Sequence, residues 1–141
     1  MPKLTPRAED AMRERFGGDS VIALATAQDG KPHVRYVNAT YDDGAFYVIT
    51  HALSGKMSQI AANPAVAIAG DWFTANGRAH SMGWVGLPAN AARLDMLKQA
   101  FAEWIDNGHT DLDDHNTIIL RIDLTDGLLL RHGERFELDF T

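Results

Sequence analysis

Two Asp-Gly pairs, Asp29-Gly30 and Asp43-Gly44, separate runs of β-branched and small apolar residues, and no other feature limits the fold as much. Asp-Gly is a two-residue hairpin sequence, because a type I′ turn needs positive φ at both central positions and glycine reaches it without strain. The flanking runs, 20–27, 32–41 and 45–50, have strand length and carry Val, Ile, Thr and aromatic residues. Tight turns between them imply antiparallel pairing, since parallel strands need long crossovers.

The remaining segments extend this pattern. Residues 7–16 read as a short helix, with Thr5 placed to cap it, Pro6 at its first position and Gly17-Gly18 as its stop. Leu53, Met57, Ile60 and Ala61 recur on one face of a second helix over 53–63, which Pro64 ends. A strand is expected at 66–73, a turn at Ala75-Asn76-Gly77 and another strand at 78–87. Gly83 and Gly86 in that strand mark a bulge or a close backbone approach. Asn90 is expected to cap the longest helix, 91–107, whose apolar stripe is Leu94, Leu97, Phe101, Trp104 and Ile105. After a polar loop, strands are expected at 117–124, 127–131 and 136–140, with turns at Thr125-Asp126-Gly127 and His132-Gly133-Glu134. The sum is a mainly β fold of about seven short antiparallel strands with peripheral helices, a barrel or a sandwich. With 141 residues, 45% of them hydrophobic, one domain over 1–141 is expected.

Composition removes several functions. There is no cysteine, which excludes disulfides, thiolate catalysis and Cys-type zinc or iron–sulfur centres. The net charge is −6 and the 13 Lys and Arg are scattered, so nucleic acid is not an expected partner. Apolar runs such as 21–25 and 65–69 are too short to span a membrane. Met1-Pro2-Lys3-Leu4-Thr5-Pro6 has no apolar leader core, and a cytoplasmic location is expected.

The common catalytic motifs are missing, including the Gly-x-Gly-x-x-Gly fingerprint, the P-loop, Gly-x-Ser-x-Gly and His-Glu-x-x-His. The acidic loop from His109 to His115 lacks the glycine and closing glutamate of a calcium loop, so no metal site is expected. His33, His51, His80 and His132 show no ligand spacing. Arg35 is different, because it stands in a strand among Val34, Tyr36 and Val37, where a charge needs a partner. Thr50 ends the next strand, and Ser54 and Lys56 open a helix whose N-terminus favours an anion. Two readings are open. Guanidinium, ammonium and two hydroxyls converge on a phosphate monoester, or Arg35 pairs with a nearby Asp and Lys56 faces solvent.

The same residues carry a resemblance. Ala25-Thr26, Asp29-Gly30, Pro32 to Val37 with Arg35, Asp43-Gly44, Tyr47 to Thr50, Ser54 to Lys56 and Asn63-Pro64 follow in order. This set resembles the pyridoxamine 5′-phosphate oxidase-like FMN-binding split β-barrel proteins, including the general stress protein group. The resemblance implies an antiparallel split barrel with FMN as cofactor. Arg35, Ser54 and Lys56 would hold its phosphate, Thr50 would assist, and Tyr36, Val37, Asn38 and Ile49 would neighbour the ring. It also implies a homodimer with flavin sites at the interface, where His80, Ser81 and Trp84 are candidate contributors. The closing segment 130–136 shows no Arg, His and Trp set of the kind that binds pyridoxamine phosphate, so a different small molecule is the expected substrate. The expected activity is a flavin-dependent oxidoreductase, with no catalytic side chain assigned. The alternatives are a non-catalytic flavin carrier or sensor, or a barrel that binds deazaflavin, haem or pyridoxal phosphate.

Overall fold

The computed structural model describes residues 4–141; Met1 to Lys3, which enter the reading of the leader, lie outside them. The chain runs α1 (Pro6–Phe16), β1 (Ser20–Gln28), β2 (Lys31–Asp42), β3 (Ala45–His51), α2 (Gly55–Ala62), β4 (Ala65–Gly70), β5 (Phe73–Trp84), α3 (Ala91–Ala100), β6 (Thr117–Arg131) and β7 (Glu134–Asp139). The strand order is β3-β2-β1-β4-β5-β6-β7, all neighbours antiparallel, and β3 also pairs with β6. That last pairing closes a six-stranded antiparallel barrel, and β7 extends it beyond β6.

The barrel is split at β2 and β3. These strands pair only through Thr40↔Tyr47, Tyr41↔Phe46 and Asp42↔Ala45. Further along they diverge, β2 staying with β1 and β3 with β6. The β2 edge at 36–38 therefore has no strand partner on the β3 side.

Alternation decides which residues enter the barrel. Ile22, Leu24, Phe46, Val48, Ile68, Phe73, Leu120 and Ile122 point into one core. Met12 and Phe16 of α1 join them, with the Phe16 ring 4.7 Å from that of Phe73 and 5.4 Å from that of Phe46. Thr5 caps α1, its Oγ1 accepting from the Ala8 N–H. From α2, Met57 and Ile60 enter the same core. Burying Met12 and Phe16 stabilises the fold by about 1.5–3 kcal/mol each. A second cluster lies outside the barrel wall, where Leu97, Phe101 and Ile105 cover Ala45, Tyr47 and Ile119.

Four expectations need correction. The β4–β5 turn is Asp71-Trp72, and Asn76-Gly77 lies inside β5, where the pairing with β6 shifts register. Asn-Gly here marks a bulge, and Gly77 is there because a Cβ would stand 2.6 Å from the Asp123 carbonyl oxygen. Thr125-Asp126-Gly127 does not turn either; β6 runs through it as one strand. The third helix ends at Ala100, and Phe101, Trp104 and Ile105 pack from looser turns beyond it. Asn90 ends a 3₁₀ turn, and its amide donates to the Met82 and Trp84 carbonyls instead of capping a helix.

Candidate functional site

Arg35 lies opposite Leu24 in the β1–β2 ladder, so its side chain shares the barrel-interior face with Leu24 and Thr26. The guanidinium donates to neutral groups, with three of its five N–H donors engaged. Nη1 donates to the Leu24 carbonyl and to Thr26 Oγ1, both at 3.0 Å, and Nη2 donates to Gln59 Oε1 at 2.7 Å. Thr26 in turn donates to Gln59 Oε1 at 2.6 Å. Lys56, from the first turn of α2, donates to Thr50 Oγ1 at 2.7 Å. Neither cation has a carboxylate partner among the described residues, which removes the reading in which Arg35 pairs with an Asp.

This arrangement concentrates positive charge. Burial lowers the pKa of Arg35. Burial also lowers that of Lys56, and the neighbouring charge of Arg35 lowers it further. Ser54 precedes α2 with extended backbone geometry, yet its side chain caps no helix N–H. Its Oγ is buried without a hydrogen-bond partner. Buried hydroxyls are normally satisfied, and an unmet one beside two uncompensated cations fits a missing acceptor. A phosphate monoester has the charge and the oxygens such a set lacks, so these residues fit the phosphate end of FMN.

The other candidates are placed as follows. Tyr36 and Asn38 point to the outer face of the sheet, and Asn38 donates to Asp19 Oδ1 at 3.0 Å. Val37 packs on the barrel core and Ile49 on the outer cluster. Only the backbone of 36–38, along the unpaired β2 edge, is available on the split side. His80 stands opposite Arg121, with Nδ1 3.7 Å from Asp123 Oδ2. Ser81 Oγ accepts from the Gly83 N–H. Trp84 donates Nε1–H to the Leu112 carbonyl and stacks on His115 at 4.0 Å. Within one protomer none of these three contacts Arg35 or Lys56.

Sequence reasoning passed over Thr26 and Gln59. Both carried a signal: Thr26 alternates onto the face of Leu24, and Gln59 follows Lys56 by three residues on one helical face. The acidic loop spends its carboxylates on its own backbone, Asp111 on the Asp113 N–H and Asp114 on the Asn116 N–H. The Asn116 bond, with a smaller contribution from His51, lowers the pKa of Asp114. Among the described residues no three His, Asp or Glu side chains converge as a metal set. None of the described helices is long and apolar enough to cross a membrane.

Solved structures match this architecture. The General Stress Protein 26 from Bacillus anthracis str. Sterne superposes with TM-score 0.68 at 19% identity, over 92% of this chain and 98% of that one. A FAD-binding protein from Mesorhizobium loti gives TM-score 0.66 at 19% identity, over 83% and 89%. A haem-binding protein from Mycobacterium smegmatis gives 0.70 at 17% identity, over 96% of this chain and 58% of that one. A comparison with curated proteins gave no match. The family profile described as pyridoxamine 5′-phosphate oxidase matches residues 8–129. That span runs from α1 into β6 and contains Thr26, Arg35, Thr50, Ser54, Lys56 and Gln59. The chain belongs to the pyridoxamine 5′-phosphate oxidase family.

Proposed function

We propose that this protein is an FMN-dependent oxidoreductase acting on a small molecule in the cytoplasm, and that it works as a homodimer. The observation that carries the cofactor assignment is the pair Arg35 and Lys56, held only by neutral oxygens, beside the orphaned Ser54 hydroxyl. Partly buried cations without a counter-charge are costly, and an anion there offsets that cost. Bound FMN supplies hydride and electron transfer. The protein's own part is to hold the phosphate, exclude water and present the unpaired β2 backbone edge at 36–38 to the ring. Backbone N–H groups on that edge suit the stabilisation of negative charge.

The homodimer reading rests on an uncovered sheet face. Ala23, Ala25, Ala67 and Ala69 floor a trough of about 480 Å³ between β2 and β6. Val34 and Tyr36 stand beside it, 69% and 80% exposed. A ridge next to a groove on one surface is self-complementary, as an isologous two-fold contact requires. Large exposed apolar patches mark interfaces. The second copy is the source from which His80, Ser81 or Trp84 would reach a flavin.

The haem-binding relative supports a second reading, in which Arg35 and Lys56 pair with the propionates of a haem. One experiment separates the two: absorption of the purified protein after FMN is added and excess removed by desalting. Retained flavin bands that disappear in the Arg35→Ala, Lys56→Ala double variant are the expected result. A colourless protein overturns the flavin assignment, and an intense Soret band moves it to haem. Bleaching of the retained flavin by NADH or NADPH distinguishes an oxidoreductase from a carrier.

A further inference from the structure

We infer that Gln59 is a further phosphate-contacting residue, holding Arg35 with its amide oxygen while its amide nitrogen donates to the same phosphate monoester. The inference rests on the FMN reading and deepens it.

Gln59 Oε1 accepts from Arg35 Nη2 at 2.7 Å and from Thr26 Oγ1 at 2.6 Å. An amide oxygen has two lone pairs, and both are taken. The amide cannot turn over, because Nε2 would then face the guanidinium donor to donor. Its two N–H groups are thus committed to the opposite direction, where no described residue accepts from them.

Gly55 defines that direction. A Cβ built there would meet one atom within 4 Å beyond its chain neighbours and the helix backbone, Gln59 Nε2 at 4.0 Å. Gly55 is the first residue of α2, between Ser54 with its orphaned hydroxyl and Lys56. A Cβ at 55 would already reach van der Waals range of the amide nitrogen, and glycine leaves that approach open. Two hydrogen bonds into Oε1 also polarise the amide and strengthen its N–H donors.

The choice of glutamine matters. Glutamate at 59 would accept the same two hydrogen bonds, but it would neutralise Arg35 and turn an oxygen toward the phosphate. Thr26, Gln59 and the Leu24 carbonyl hold the guanidinium without cancelling its charge, so that charge is kept for the ligand.

The test compares Kd for FMN and for riboflavin, by quenching of flavin fluorescence, in the wild type, Gln59→Glu and Gln59→Met. Methionine fills the same volume without donors or acceptors. FMN affinity is expected to fall about tenfold in Gln59→Met and about 100-fold in Gln59→Glu. Riboflavin, which lacks the phosphate, is expected to bind all three alike. With FMN held at its own Kd for each protein, inorganic phosphate is expected to displace it from the wild type at lower concentration than from either variant. An unchanged ratio of FMN to riboflavin affinity in either variant overturns the role of Gln59. A wild type that shows no preference for FMN over riboflavin overturns the phosphate reading itself, and the Gln59 inference with it.

Discussion

Lys56 Nζ donates to Thr50 Oγ1 over 2.7 Å, so the first turn of α2 is tied to the end of β3 by an ammonium and a hydroxyl, with no carboxylate involved. The bond aims Lys56 without consuming its charge. Thr50→Val keeps the branched shape that suits a strand and removes only the acceptor. Lys56 then regains rotamer freedom that ligand binding must remove. FMN affinity is expected to fall about fivefold to tenfold, with the melting temperature within a few degrees of the wild type. Fluorescence titration with FMN and a thermal melt check the two halves.

The lowered pKa of Lys56 gives the site a pH dependence of definite sign. Burial first, and the charge of Arg35 second, put its free-state value below the ordinary 10.5. A bound phosphate favours the ammonium, so binding takes up a proton between the free-state and bound-state values. FMN affinity is therefore expected to fall as pH rises through the free-state value, while riboflavin affinity stays flat. At the acid end the phosphate loses its second charge near pH ~6, so tightest binding lies between these limits. Without ligand the same shift acts on folding. The unfolded chain holds more protons between the lowered value and 10.5, so this lysine's contribution to stability rises with pH across that window. Calorimetric FMN titrations in buffers of different ionisation enthalpy measure the proton uptake directly.

Local chemistry made much of this fold legible. Asp29-Gly30 and Asp43-Gly44 set two hairpins because their backbones take positive φ. Thr5 and Pro6 open α1, and Gly17 ends it in a helical conformation where a Cβ would run into the Arg13 carbonyl. Asn76-Gly77 misled because its glycine serves a close approach inside a strand and not a turn: the Asp123 carbonyl of β6 leaves no room for a Cβ where the pairing shifts register. The true turn at Asp71-Trp72 carried no turn signal at its second residue. Arg35 stood out as a charge among apolar strand residues, and Lys56 as a cation at the opening of a helix. Thr26 and Gln59 did not, because neutral polar residues draw notice only when their partners are known, and those partners are 9 to 33 residues away.

Ala23 offers a test of the sheet face. It lies opposite Tyr36 on one side and Ala69 on the other, on the floor of the trough. In one protomer an arginine there can extend along the open face, so Ala23→Arg is expected to fold. Across a two-fold contact it meets the partner's copy of the same apolar surface and carries a charge into it. Light scattering is expected to give a dimer for the wild type and a monomer for Ala23→Arg. If flavin sites span the interface, the monomer also loses FMN on desalting. A wild type that is monomeric at micromolar concentration removes the homodimer from the proposal.

Trp72 is the residue the protomer explains least by itself. Its φ is +56°, and unlike Asp29 and Asp43, which tolerate this region, it has a bulky side chain that does not. It is also 75% exposed, so the ring gains little from packing inside one chain. Its carbonyl accepts from the Leu130 N–H, a bond that any residue at 72 can keep. Trp72→Gly should therefore relieve backbone strain at small cost in buried area. An isolated protomer is expected to gain about 1 kcal/mol in urea unfolding. The measurement is cleanest in the Ala23→Arg background, where the protein is expected to be monomeric. If Trp72→Gly stabilises the monomer but destabilises the wild-type assembly, the strained turn holds the indole for a contact between copies. If it stabilises both equally, Trp72 contributes to neither and its strain has another origin.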